Sequence, residues 1–399
     1  MNSNSRSPYS AAEQGLGYIY QARFALLKIL ELPEDCSLLL EKEDDVDFDD
    51  AAGHKSLVSL KHKAVGDTLS DLATDFWKSV RIWLAYYDAN GKIGCDARFM
   101  LFTTGTVSTG SVLAAFKDEK VDGEARTQAV EEPLSKSTSL LVAAVRETLA
   151  TLTAAELADF YGRITIADAT LRITDIPSAV INQHLRTIRR ESRPFLFERL
   201  EGWWMDQAIR LLAGERTAPI SGVEVSDKLS AMAEEYRNDN LPITFRQRQP
   251  DDIDVANDPR LFVEQLRTLD LTTSRLRAAI IDYYRAFEQR SSWARENLLV
   301  SNEIEEYEDR LIDEWARYRD VAFERLNDDS DDATCLAAGR ELYRWAEMET
   351  TFLRIRERVT EPYVVRGAFH ILANARPQPH VHWHPRFLAQ LARILGKAA

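Results

Sequence analysis

The stretch Leu38–Lys63, LLLEKEDDVDFDDAAGHKSLVSLKHK, constrains the fold most, because its charged and apolar residues alternate instead of recurring at helical spacing. The alternation predicts a strand running from Leu38 to Phe48, with Glu41, Glu43, Asp45 and Asp47 on one face and Val46 and Phe48 on the other. Asp49–His54 reads as a turn in which Gly53 supplies a permissive backbone. The return strand Ser56–Lys63 puts Val58 and Leu60 on one face and Ser59, Lys61 and Lys63 on the other. Such a hairpin sets a column of acids beside a column of amines. Phosphodiester chemistry needs oxygen ligands for a divalent cation, an oriented water and a fixed positive charge, and one sheet edge of this kind supplies all three. The same pattern equally describes a solvated hairpin whose charges keep a sheet edge soluble. Spacing alone leaves both open.

A chain of 399 residues with 45% hydrophobic residues makes two or three domains, each able to bury a core. No apolar run approaches the roughly 20 residues that span a bilayer, and the N-terminus MNSNSRSPYSAAEQG lacks the basic-then-apolar pattern of a signal peptide. No membrane and a cytoplasmic location are therefore expected. Cys36, Cys95 and Cys335 lie far apart with no CxxC spacing, which argues against a disulfide framework and a cysteine zinc site. A net charge of −14 argues against a simple nucleic-acid-coating protein. It leaves a nuclease open, since a bound metal inverts the local sign.

Along the chain, Ser10–Glu31 reads as a helix capped by Ser10 with Glu13, its core face carrying Tyr20, Phe24, Leu27 and Leu30. Gly17, Tyr20 and Gln21 form a G-x-x-Y-Q pattern. A second helix, Ser70–Tyr87, presents Phe76, Val80, Trp83 and Tyr87. Arg98–Thr104, RFMLFTT, reads as a buried strand, and Arg163–Ile166 as another short one. Helices are expected over 139–152, 154–160, 176–189, 193–212 and 223–238. The Trp203–Trp204 pair suits a core anchor or a platform for stacked bases. After the charged, proline-interrupted stretch Arg246–Pro259, helices are expected over 260–269, 274–289, 300–327 and 333–359. His380, His382 and His384 alternate near the end; zinc ligation and a packed turn anchored by Trp383 both fit. The predicted class is α+β: a small mixed sheet flanked by helices within residues 1–215, then a mainly helical region over 216–399.

The conjunction EKEDDV, SLKHK, LSDLATDFWKSVRIW, the G-x-x-Y-Q helix, RFMLFTT, LEGWW, DYYRAFEQRSSWARENLL and HWHPRFL resembles the nuclease subunit of ABC-three-component (Lamassu-type) defence systems. The N-terminal part is similar to PD-(D/E)xK endonucleases. The resemblance implies a double-stranded DNA endonuclease effector of an anti-phage or anti-plasmid complex, dependent on Mg²⁺ or Mn²⁺. Its implied partners are an SMC-type ABC ATPase and a middle component that hold it inactive. On release it would self-assemble as a homo-oligomer and cut DNA, with the helical C-terminal half as the docking module. Carried residue by residue, the resemblance implies Asp45 as the metal-binding acid, Lys61 as the lysine of the motif, Glu41 as the preceding acid and Gln21 on the first helix.

One position departs from that pattern. Ser59 stands where an acid or glutamine is expected two residues before the lysine. Glu41, Glu43, Asp47 or a water would then complete a metal's coordination, and Lys63 competes with Lys61 for the lysine role. The alternative is a catalytically weak or inactive adaptor that links the ATPase to another effector.

Overall fold

The computed structural model describes residues 11–389. They divide into two compact units: one runs to Thr187 and adds Arg193–Met232, the other comprises Ile188–Ser192 and the chain from Ala233 onward.

The first unit is built from α1 (Ala11–Glu31), β1 (Ser37–Leu40), β2 (Val46–Asp49), β3 (Lys55–Lys61), β4 (Thr68–Leu69) and α2 (Thr74–Ala89). These are followed by β5 (Ala97–Thr103), β6 (Thr106–Val107), α3 (Gly123–Lys136), α4 (Leu140–Leu149), α5 (Ala154–Gly162) and β7 (Ile164–Ala167). The unit is completed by α6 (Ile176–Gln183), α7 (Arg193–Leu212), β8 (Ile220–Ser221) and the start of α8 (Gly222–Glu235). Six strands form a mixed sheet in the order β7-β5-β3-β2-β1-β8, and β4 with β6 makes a separate two-stranded ribbon. The β3–β5 and β5–β7 pairs are parallel, whereas β1–β2, β2–β3 and β1–β8 are antiparallel. This is the expected α+β class. The capping box of Ser10 with Glu13 lies outside the described residues.

The single strand expected over Leu38–Phe48 is instead two strands folded back on each other, with Leu40 opposite Val46. The four-acid column therefore does not exist. Residues Glu41–Asp45 form a tight turn closed by the Glu41 N–H donating to the Asp45 carbonyl at 3.2 Å, and Glu41 takes a left-handed φ of 51°. The Asp47 carboxylate accepts the N–H groups of Glu43 at 2.9 Å and Asp44 at 3.1 Å. Aspartate side chains that satisfy nearby backbone donors compete with an extended ladder, and here they win. The second turn, expected over Asp49–His54, begins one residue later because Asp49 ends β2, and the Asp50 carboxylate accepts from the N–H groups of Ala52 and His54.

The α2 stripe of Phe76, Val80, Trp83 and Tyr87 is fully buried and joins one core with Leu57, Phe99, Leu101, Ile164 and Ile166 from the sheet. Helix α1 packs elsewhere on the sheet, with Phe24 and Phe102 rings 4.8 Å apart. Trp204 is fully buried and donates from Nε1 to the Ala22 carbonyl at 2.6 Å, tying α7 to α1.

In the second unit, α9 (Leu261–Thr268), α10 (Thr273–Arg295), α11 (Glu303–Phe323), α12 (Asp332–Met348) and α13 (Pro362–Ala373) enclose one core. The helix expected over 333–359 stops at Met348, and α13 follows where no helix was foreseen. Val364, Val365, Ala368, Phe369, Leu372 and Ala373 are all buried and recur at helical spacing, and Pro362 opens the helix. Gly367 allows α13 to lie directly against α10. A methyl built there would strike the Asp282 carbonyl oxygen and Ala286 Cβ. Gly367→Ala is therefore expected to destabilise this unit by about 1–3 kcal/mol, read as a lower denaturant midpoint at unchanged slope.

Candidate active site

Antiparallel pairing of β2 with β3, in which Val46 faces Val58, brings the end of the acidic turn beside the C-terminal end of β3. Asp45 is the point of convergence. Its Oδ1 accepts from Gln21 Nε2 of α1 at 2.9 Å, and its Oδ2 accepts from the Leu60 N–H at 2.6 Å. Lys61 Nζ stands 3.4 Å from the same Oδ2, and the two side chains keep 22% and 19% of their surface accessible. An ion pair open to this degree can still meet a ligand. Glu41 joins the group: its carboxyl is held above its usual range by burial and by Asp45, against the opposing pull of Gln21 and Lys61. Gln21, Glu41, Asp45 and Lys61 are thus gathered from α1, the β1–β2 turn and β3.

Asp47 is not in this group. Both its oxygens cap the turn, and it is 1% exposed. Burial pushes its carboxyl up to about 6. Among the described residues, no group of three or more His, Cys, Asp or Glu side chains is placed to hold a metal ion. Lys63, the competing lysine, is engaged by Asp75. Ser59 is 1% exposed and accepts from Ser79 Oγ at 2.7 Å, so its hydroxyl is committed to packing against α2.

Two residues of this neighbourhood escaped the sequence argument. Asp44, 8% exposed, accepts from Trp83 Nε1 at 2.6 Å and from the Asp45 N–H at 2.9 Å. Burial and the Asp45 charge push its carboxyl up to about 6. The strand reading gave Asp44 no role, and only the turn brings its backbone and side chain into play. Trp83 was legible solely as part of the α2 stripe.

The side chains at the end of β5 and in the histidine tail are packed. Thr104 Oγ1 accepts from the Lys63 N–H at 2.7 Å, and Thr103 is fully buried. In the second unit, Trp383 is fully buried and His382 and His384 are 8% and 7% exposed. The His382 ring meets the edge of Trp315 at 5.2 Å, while His384 Nδ1 accepts from the Arg386 N–H at 3.2 Å. The tail is the packed turn anchored by Trp383. Among the described residues, no helix is long and apolar enough to cross a membrane.

No curated protein matches the chain. Among solved structures, it is similar to the Moraxella osloensis Cap4 SAVED/CARF-domain containing receptor, at 13% identity and a TM-score of 0.37, covering 69% of this chain and 68% of that one. It is also similar to the Acinetobacter baumannii Cap4 SAVED/CARF-domain containing receptor with the cyclic trinucleotide 2'3'3'-cAAA, at 14% identity and a TM-score of 0.34, covering 72% and 67%. Residues 262–391, within the helical unit, match the family model for C-terminal domain 7 of the ABC-three component (ABC-3C) systems, which supports membership of this chain in ABC-3C defence systems.

Proposed function

We propose that the chain is a metal-dependent endonuclease effector that cuts double-stranded DNA within an ABC-3C system. The observation that carries this reading is the placement of Lys61 Nζ 3.4 Å from Asp45 Oδ2, with Gln21 on the other carboxylate oxygen. An acid, an amide and a cation then converge at one strand end, on side chains that are neither fully buried nor fully exposed. The oxygen donors suit Mg²⁺, which is typically held by one or two carboxylates with water and substrate phosphate completing the shell. Asp45 and Glu41 would be those carboxylates, and the ion would supply charge neutralisation at the phosphate and a more acidic water. Asp45 is held in place by Gln21 and the Leu60 N–H. Lys61 neutralises Asp45 in the free protein and is positioned to stabilise charge developing on a scissile phosphate.

In this reading an SMC-type ABC ATPase and a middle component restrain the chain through its ABC-3C-type C-terminal domain, and release permits self-assembly. The net charge of −14 gives the isolated chain little affinity for a polyanion, which agrees with cutting that requires assembly. The test is a protein-concentration series with plasmid DNA and Mg²⁺. Cleavage that rises steeply with concentration and stops with a chelator is expected. Absence of Mg²⁺-dependent cutting at every concentration rejects it.

One observation favours a second reading, a non-catalytic adaptor. Ser59 is buried on Ser79, and Asp47 is spent on the turn, so neither adds a ligand beside Asp45. Co-purification with the ATPase without any DNA cutting distinguishes this case.

A further inference from the structure

We propose that Asp44 is a positioning residue of this site: anchored on the Trp83 indole, it fixes the acidic turn so that the Asp45 carboxylate addresses Gln21, Leu60 and Lys61. Its consequence for cutting rests on the nuclease reading; its consequence for Asp45 does not.

A carboxylate at 8% exposure with no ion-pairing hydrogen bond of its own is costly unless several donors serve it. Asp44 has two: Trp83 Nε1 reaches Oδ2 at 2.6 Å, and the Asp45 N–H reaches Oδ1 at 2.9 Å. The indole is a fixed point, because Trp83 is fully buried and stacks on Phe99 with ring centroids 5.6 Å apart at 18°. The Asp44 N–H in turn donates to Asp47 Oδ1 at 3.1 Å. Core, indole, Asp44 and the Asp45 backbone therefore form one continuous chain of contacts. A turn that contains a left-handed non-glycine residue, Glu41, depends on such outside support to hold a single geometry. Packing alone does not require an acid here, since an apolar group of similar size would fill the space against α2 without desolvating a charge.

The test uses the full chain and four variants. In ¹⁵N-leucine-labelled protein, the Leu60 amide reports the hydrogen bond to Asp45 Oδ2, and Asp45→Ala defines its position when that bond is lost. Asp44→Ala is expected to move the Leu60 amide proton in the same direction as Asp45→Ala. Asp44→Asn, which keeps one acceptor oxygen, should move it less. With plasmid and Mg²⁺, Asp44→Ala should lower kcat by about 10- to 100-fold, the range for partners that orient a ligand-bearing residue, while KM for DNA stays within about twofold. A folded Asp44→Ala with an unmoved Leu60 amide overturns the proposal, and so does wild-type kcat in a chain that cuts. Where Asp44→Ala does not fold, Trp83→Phe removes one of the two donors and is judged by the same two criteria. If wild-type protein cuts no DNA, the nuclease reading falls, and the Leu60 amide alone decides the role of Asp44.

Discussion

Under the proposed nuclease function, Lys61→Ala is expected to lower Mg²⁺-dependent DNA cleavage by about 10²- to 10³-fold, the usual consequence of deleting one group that stabilises charge in the transition state. The fold should survive. Asp45 keeps its hydrogen bonds to Gln21 and the Leu60 N–H when the ammonium is removed. Lys61→Arg should recover only part of the activity, because a planar guanidinium does not place its charge where a compact ammonium does. Lys63→Ala is the matched control, since its amine is engaged by Asp75 and not by Asp45. Gel assays under single-turnover conditions, with thermal melts on the same preparations, check all three. Full activity in Lys61→Ala would remove Lys61 from the chemistry.

The largest expected effect on stability is that of Trp204→Ala. The side chain is fully buried, and its Nε1 satisfies the Ala22 carbonyl in the middle of α1. Truncating it leaves a cavity and removes a hydrogen bond that ties α7 to α1, for a loss of about 3–5 kcal/mol. Whole domains are typically stable by about 5–15 kcal/mol, so this is a large fraction. Because α1 also carries Gln21, cleavage should fall beyond what the folded fraction explains. Trp203→Ala, at a half-buried ring beneath Lys228, should cost far less. Urea unfolding of the two variants side by side makes the comparison. Equal losses would show that the α1–α7 contact does not depend on the buried indole.

Much of the architecture was legible because the periodic signals were strong. The α2 stripe, the RFMLFTT strand and the turn at Asp50–His54 each follow from residues whose local preference agrees with their tertiary surroundings. The Trp383-anchored turn was likewise among the readings the sequence offered. The main failure has a local cause. In EKEDD the alternation of charge imitated a strand, while the deciding interactions were Asp47 and Asp44 bonding to backbone N–H groups one to four residues away. Helix α13 is a separate case, a short segment opened by Pro362 whose apolar residues Val364, Val365, Ala368, Phe369 and Leu372 do recur at helical spacing.

The sequence by itself determined which residue types are available to the site, an acid-rich segment and a lysine on neighbouring strands, and the α+β class that carries them. Tertiary structure alone decided which acid lies beside Lys61. Register on β3 and the cap made by Asp47 turn Asp45 toward Lys61 and commit Asp47 to the turn, while Gln21 arrives from a helix 24 residues earlier in the chain. Side-chain direction in a turn is set by hydrogen bonds to particular backbone groups, and no period of two or 3.6 residues encodes those.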